Sequence, residues 1–157
     1  LVALLTHPLV RRDDGRAEWL ESARRLDLAL RGPRPAPGLA PLRDLAWKAK
    51  VAEWWEVAEA ILAPLFAQAD DAPLADLLAA LTEAGEALCG EALWANADGR
   101  ALSQFIGELR EAAQEAGTRL DPRELRAALR DAMDRISVRP PWGGRLPINF
   151  QAPSAIQ

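Results

Sequence analysis

The sequence has no tyrosine, one cysteine, one histidine, one methionine and three phenylalanines among its 157 residues. Each shortage removes a class of function. The lone cysteine, Cys89, excludes an internal disulfide and a thiolate metal cluster, and fits a chain kept in a reducing cytoplasm. The single histidine, His7, precedes Pro8. A catalytic imidazole needs a nucleophile and an orienting acid, and the sequence marks neither, so His7 reads as structural. No uncharged apolar run reaches the roughly eighteen residues that a membrane span needs. The phosphate-cradling patterns GxxxxGK[ST] and GxGxxG are both missing, and Gly143-Gly144 leads into neither a lysine nor a helix. The opening LVALLTHPLVRR lacks the basic leader and cleavage site of a signal peptide. With no initiator methionine, the expectation is an internal piece of a longer cytoplasmic polypeptide.

Lysine is also scarce. Lys48 and Lys50 are the only two, against seventeen arginines. The arginine bias, the missing tyrosine and the abundant alanine are read as the mark of a GC-rich genome rather than of function. The net charge of −4 hides an asymmetry, because residues 1–50 carry +4 and residues 51–157 carry −8. A basic end on an acidic body is compatible with nucleic acid touching one edge, but a helical surface with scattered charges is the preferred reading.

What remains is helical almost throughout. A short first helix over Leu1 to Val10 is checked at His7-Pro8. Trp19, Ala23, Leu26 and Leu30 recur at helical spacing and are followed by Gly32, a natural stop. The longest helix is expected from Pro41 to Leu62, its face reading Trp47, Val51, Trp54, Ala58, Ile61 and Leu62, with Pro64 ending or kinking it. A fourth helix starts near Pro73 with Asp70-Asp71 as capping candidates and runs through Leu74, Leu77, Leu78, Leu81, Gly85 and Leu88 to Gly90. A fifth, capped by Asp98, buries Leu102, Phe105, Ile106, Leu109 and Ala113 and ends at Gly117. The sixth begins at Asp121-Pro122-Arg123-Glu124, where Asp caps, Pro fills the first turn and Glu can complete a capping box. No segment alternates at a period of two except Ile136-Ser137-Val138. The fold class is therefore all-α, an irregular bundle of about six helices.

Side-chain chemistry adds little for catalysis. Glu53, Glu56 and Glu59 drift around their helix and read as a solvated face rather than a metal site. Asp131 and Asp134 read as surface partners of Arg130 and Arg135, and Cys89 as a small buried hydrophobe. No catalytic, cofactor or metal residue is assigned, and no enzyme activity is expected of this chain. The tryptophans carry more. Aromatic faces interleaved with basic groups can stack the bases of single-stranded nucleic acid, and Trp47 with Lys48 and Lys50 is the best such cluster. At core-facing spacing, however, Trp47, Trp54 and Trp55 are all read as core, Trp47 and Trp55 at the margins of the stripe. A helix-turn-helix can be laid over Gln104 to Met133, with Arg123, Arg126 and Arg130 on one side of its second helix, but that half of the chain is acidic.

Between the second and third helices lies Arg31-Gly32-Pro33-Arg34-Pro35-Ala36-Pro37-Gly38. Prolines at every second position favour an extended polyproline path. A flexible linker would use glycine and serine, so the stretch reads as a semi-rigid strap that displays Arg31 and Arg34.

LVALLTHPL, the run ending R-x-L-D-L-A-L-R-G-P-R-P-A-P-G-L, and the late V-R-P-x-W-G together resemble the AddB subunit of bacterial AddAB helicase–nucleases, the alphaproteobacterial branch above all. Leu4-Leu5-Thr6-His7-Pro8-Leu9 and Leu30-Arg31-Gly32-Pro33-Arg34-Pro35 carry most of the resemblance, which covers roughly residues 1–143. It implies a piece of an inactivated superfamily-one helicase-like subunit, in the helical accessory (2B-like) region of its second lobe. The parent family processes double-strand breaks for recombinational repair beside an AddA-like motor subunit. Its iron–sulphur cluster and nuclease metal belong to a separate domain, and no residue of either is present here. After Trp142-Gly143 the family continues with His-Pro and an apolar strand, whereas this chain runs GRLPINFQAPSAIQ. Residues 1–143 are thus expected to form one helical domain, with 144–157 a divergent tail, extended or disordered. The candidate DNA contacts are Arg11, Arg12, Arg31, Arg34, Lys48 and Lys50, which would position phosphates without reading sequence. The competing expectation is a protein-interaction module that packs on the motor subunit without DNA contact.

Overall fold

The computed structural model describes residues 1–136. They form an all-α irregular bundle of seven α-helices with one two-residue β-ladder. The proposed boundary at 143 and the tail at 144–157, like Ser137 and Val138, lie outside the described residues.

Helix α1 (Val2–Leu5) is shorter than expected. The Thr6 hydroxyl donates to the Val2 carbonyl at 2.9 Å, and the Leu9 N–H donates to His7 Nδ1 at 3.3 Å, so a turn replaces the helix before Pro8. His7 thus has a local structural partner. Helix α2 (Arg16–Ala29) buries Trp19, Ala23 and Leu26, the face its periodicity predicts. It closes through an ordinary right-handed cap at Leu30 rather than through Gly32. The strap follows, and Gly38, with φ +101°, turns it into the next helix.

The single helix expected from Pro41 to Leu62 is two helices, α3 (Ala40–Lys48) and α4 (Ala52–Phe66). Pro64 lies inside the last turn of α4, so the helix runs two residues past it. Placed there, proline forfeits one hydrogen bond near an end that already has spare carbonyls. Gln68 Nε2 donates to the Pro64 carbonyl at 3.0 Å.

Helix α5 (Leu74–Cys89) buries Leu77, Leu78 and Leu88 together with Ala75, Ala80 and Ala84, and Gly90 stops it at φ +56°. A 3-10 turn (Gly90–Leu93) leads to α6 (Asn96–Ala116), which starts two residues before the expected cap Asp98. Of the apolar face foreseen on α6 only Ala113 is fully buried, while Leu102, Phe105, Ile106 and Leu109 are half-buried. Gly117 closes α6 in the left-handed conformation.

Strands β1 (Ala72–Pro73) and β2 (Arg119–Leu120) pair antiparallel, Ala72 opposite Leu120 and Pro73 opposite Arg119. This ladder corrects the reading of Asp70-Asp71 as helix caps. Asp71 instead accepts from Arg119 Nε at 2.8 Å, and Asp70 pairs with Arg123 at 3.3 Å. The two acids therefore tie the chain ahead of α5 to β2, through Asp71, and to the start of α7 (Pro122–Met133), through Asp70. The Asp121 carboxylate caps α7 as foreseen, accepting from the Arg123 N–H at 2.8 Å.

The main core joins the first four helices to one residue of the fifth: Leu5, Trp19, Leu26, Leu42, Trp55 and Leu88 are among its members. Trp54, half-buried against this core, lies between the core indoles of Trp19 and Trp55 at 5.2 and 6.3 Å, packed edge-on to the first and tilted to the second. Such geometries are the favoured ones for aromatic quadrupoles.

Candidate nucleic-acid interface

Helices α3 and α4 meet at a corner made by paired C-terminal bonds. The Val51 N–H donates to the Ala46 carbonyl at 2.9 Å and the Lys50 N–H to the Trp47 carbonyl at 3.0 Å. This is the Schellman arrangement, whose left-handed position is usually a glycine and whose apolar contact joins the residues at its two ends. Here Ala46 and Val51 are both buried, and the left-handed position holds Lys50 at φ +59°. A Cβ in that conformation costs roughly 1–2 kcal/mol.

The corner decides where the tryptophans go. Breaking the helix between Lys48 and Ala52 takes Trp47 off the stripe it would share with Trp54 and Trp55. Trp55 is buried, as read from the sequence, and Trp54, also read as core, is half-buried against it, but Trp47 is 73% exposed. The core reading of Trp47 is therefore corrected. Its indole lines an open depression of about 670 Å³ with Lys48, Lys50, Trp54 and, from α2, Ser22 and Arg25. Glu53 also lines it. Arg25 is held to Glu21 across one turn at 3.1 Å, whereas neither lysine makes an ion pair among the described residues. An exposed indole face flanked by two unpaired ammonium groups and a guanidinium can hold a planar ring and the phosphates on either side of it.

The six candidate cations fall into three places. Lys48 and Lys50 share this depression. Arg11 is engaged structurally: its guanidinium lies 5.1 Å over the Trp19 ring and 3.9 Å from Asp13, and its backbone N–H donates to the Leu88 carbonyl at 2.8 Å. Arg12 beside it is exposed. Arg31 pairs with Asp27 at 3.1 Å, and Arg34 lines a separate groove along the strap. Sequence reasoning missed Ser22 and Arg25, which reach the depression only because α2 packs on α3.

The solvated reading of Glu59 is also corrected. Glu59 is 9% exposed, and its carboxylate accepts from Arg43 Nε with both oxygens, at 3.0 and 2.8 Å. Hydrogen bonding to Glu59, and then its charge, raise the Arg43 guanidinium above its ordinary value. The pair braces α3 against α4 behind the corner. Asp131 pairs with Arg135 at 2.8 Å, as part of the expected surface pairing. Cys89 is half-buried against the main core, and desolvation pushes its thiol pKa up. Among the described residues, no three His, Cys, Asp or Glu side chains converge as a metal site would require. No helix among them is long and apolar enough to cross a membrane.

Comparison with known protein families, with curated proteins and with solved structures returns no match.

Proposed function

We propose that this chain is a helical accessory domain of an AddB-like subunit, acting in double-strand break repair, and that it holds single-stranded DNA at the corner between α3 and α4. The reading rests on one observation: a lysine occupies the left-handed position at Lys50, beside an exposed Trp47. Strain of this kind persists only where the surrounding structure imposes it, and it clusters at ligand-binding sites. Glycine would make the same turn at no steric cost. Trp47 stacks on one unpaired base, Lys48 and Lys50 neutralise the flanking phosphates, and Arg25 approaches from α2. Stacking and phosphate contact are tolerant of sequence, as a scaffold that guides a strand past a motor subunit requires.

Fluorescence anisotropy of a labelled oligothymidylate, titrated with the chain at several salt concentrations, tests the reading. Three phosphate contacts on a single strand give a log–log salt slope of about −2. Trp47→Ala weakens binding by roughly tenfold, the loss of one stacked base. Equal affinity for a blunt duplex, or no salt-sensitive binding at low salt, overturns the proposal.

A further inference from the structure

The strap between α2 and α3 forms one wall of an open groove of about 390 Å³ whose other residues include Leu1, Leu30, Leu42 and Phe66. Phe66, at the end of α4, is 58% exposed. Phenylalanine left in water beside other apolar side chains marks an interaction surface more often than a lone exposed leucine does.

Three further observations define what fits there. Arg34 is the one ionised side chain lining the groove, and no carboxylate lines it. Arg34 makes no ion pair among the described residues, in contrast to its neighbour Arg31. Residues 32–38 make no backbone hydrogen bond within the described fold, so the N–H groups of Arg34 and Ala36 and the carbonyls between them remain open. Pro33, Pro35 and Pro37 each lock φ in this wall before anything binds, which lowers the ordering cost of docking.

We infer that the groove docks an extended acidic segment of a partner protein, with an apolar residue seated against Phe66 and Leu30 and a carboxylate on Arg34. Nucleic acid fits it less well: a strand needs a series of phosphate contacts, and the groove supplies one side-chain cation on an apolar floor. The site is separate from the Trp47 corner, and the inference stands whether or not that corner holds DNA.

Selection of a random dodecapeptide library displayed on phage, panned against residues 1–157, tests it. Enriched peptides are expected to share an apolar anchor next to aspartate or glutamate. In anisotropy titrations with these peptides, Phe66→Ser and Arg34→Glu each weaken binding at least about fivefold while far-UV circular dichroism stays unchanged. Peptides whose acids are replaced by lysine regain affinity for Arg34→Glu. The inference is overturned by no enrichment over Arg34→Glu used as bait, by a basic or purely apolar consensus, or by displacement of the peptide by oligothymidylate. Self-association in sedimentation velocity that Phe66→Ser disperses also overturns it, because the groove would then be covered by a second copy.

Discussion

The indole of Trp19 meets that of Trp54 edge to face, ring centres 5.2 Å apart and planes inclined at 70°. From the same ring, Nε1 donates to the Leu5 carbonyl at 2.9 Å. One side chain on α2 therefore carries two long-range ties, to α4 through packing and to α1 through a buried hydrogen bond. Trp19→Phe keeps most of the apolar body and leaves the Leu5 carbonyl without its partner, a loss of about 1–3 kcal/mol. Trp19→Ala removes the packing as well and costs about 3–5 kcal/mol. Urea unfolding measures both, and amide exchange around Leu5 accelerates in Trp19→Phe before the rest of the chain loosens.

Gly99 packs the start of α6 onto the preceding turn. A Cβ there would lie 2.4 Å from the Trp94 carbonyl carbon and 2.8 Å from the Leu93 oxygen, both backbone atoms that cannot rotate away. On an exposed helix surface a glycine-to-alanine change is favourable, but Gly99 is buried, so Gly99→Ala forces α6 away from the turn and costs roughly 1–3 kcal/mol. Thermal unfolding checks the sign: a rise in melting temperature would show that the two backbones are not in contact.

The helices were largely legible because their apolar periodicity and their stops are local. Trp19, Ala23 and Leu26, the Asp121 cap and the closing Gly90 and Gly117 are where the sequence puts them. The corner at Lys50 was not legible, since an apolar stripe runs unbroken across it and lysine is no stop signal. Only the hydrogen bonds from Lys50 and Val51 reveal it. Trp47 was misplaced for the same reason. Glu59 looked solvated because its partner, Arg43, lies sixteen residues away on the other side of that corner. The β-ladder at Ala72 and Leu120 is two residues long, too short for any alternation to show. Lys48 and Lys50 were found as a pair because they are neighbours in the chain, and Arg25 was missed because it is not.

Cys89 sits half-buried against the main core, and desolvation raises its thiol above the ordinary value of 9.0. The folded chain thus keeps the proton longer than the unfolded chain does. The resulting stability is fully present below pH 9.0 and is lost as pH rises through the folded value. Alkylation by iodoacetamide at pH 8 is accordingly slower in the native chain than in urea, because the thiolate is the nucleophile. A native rate equal to the denatured one would contradict this. Cys89→Ser removes the alkaline dependence that belongs to this group.

The decisive substitution is Lys50→Gly. If Lys50 were an ordinary surface residue, replacing it by glycine would destabilise the chain through backbone entropy. At φ +59° the balance reverses, because relief of the left-handed strain is worth roughly 1–2 kcal/mol and exceeds the entropic cost. Lys50→Gly is therefore expected to unfold at higher urea than the parent while binding oligothymidylate more weakly and with a salt slope smaller by about 0.7. Lys50→Ala separates the two effects: it loses the charge and keeps the strain, so it matches Lys50→Gly in affinity and not in stability. A Lys50→Gly chain that is more stable and binds equally well would leave the left-handed lysine without a DNA role, and Lys48 and Arg25 would then be the cations to test at Trp47.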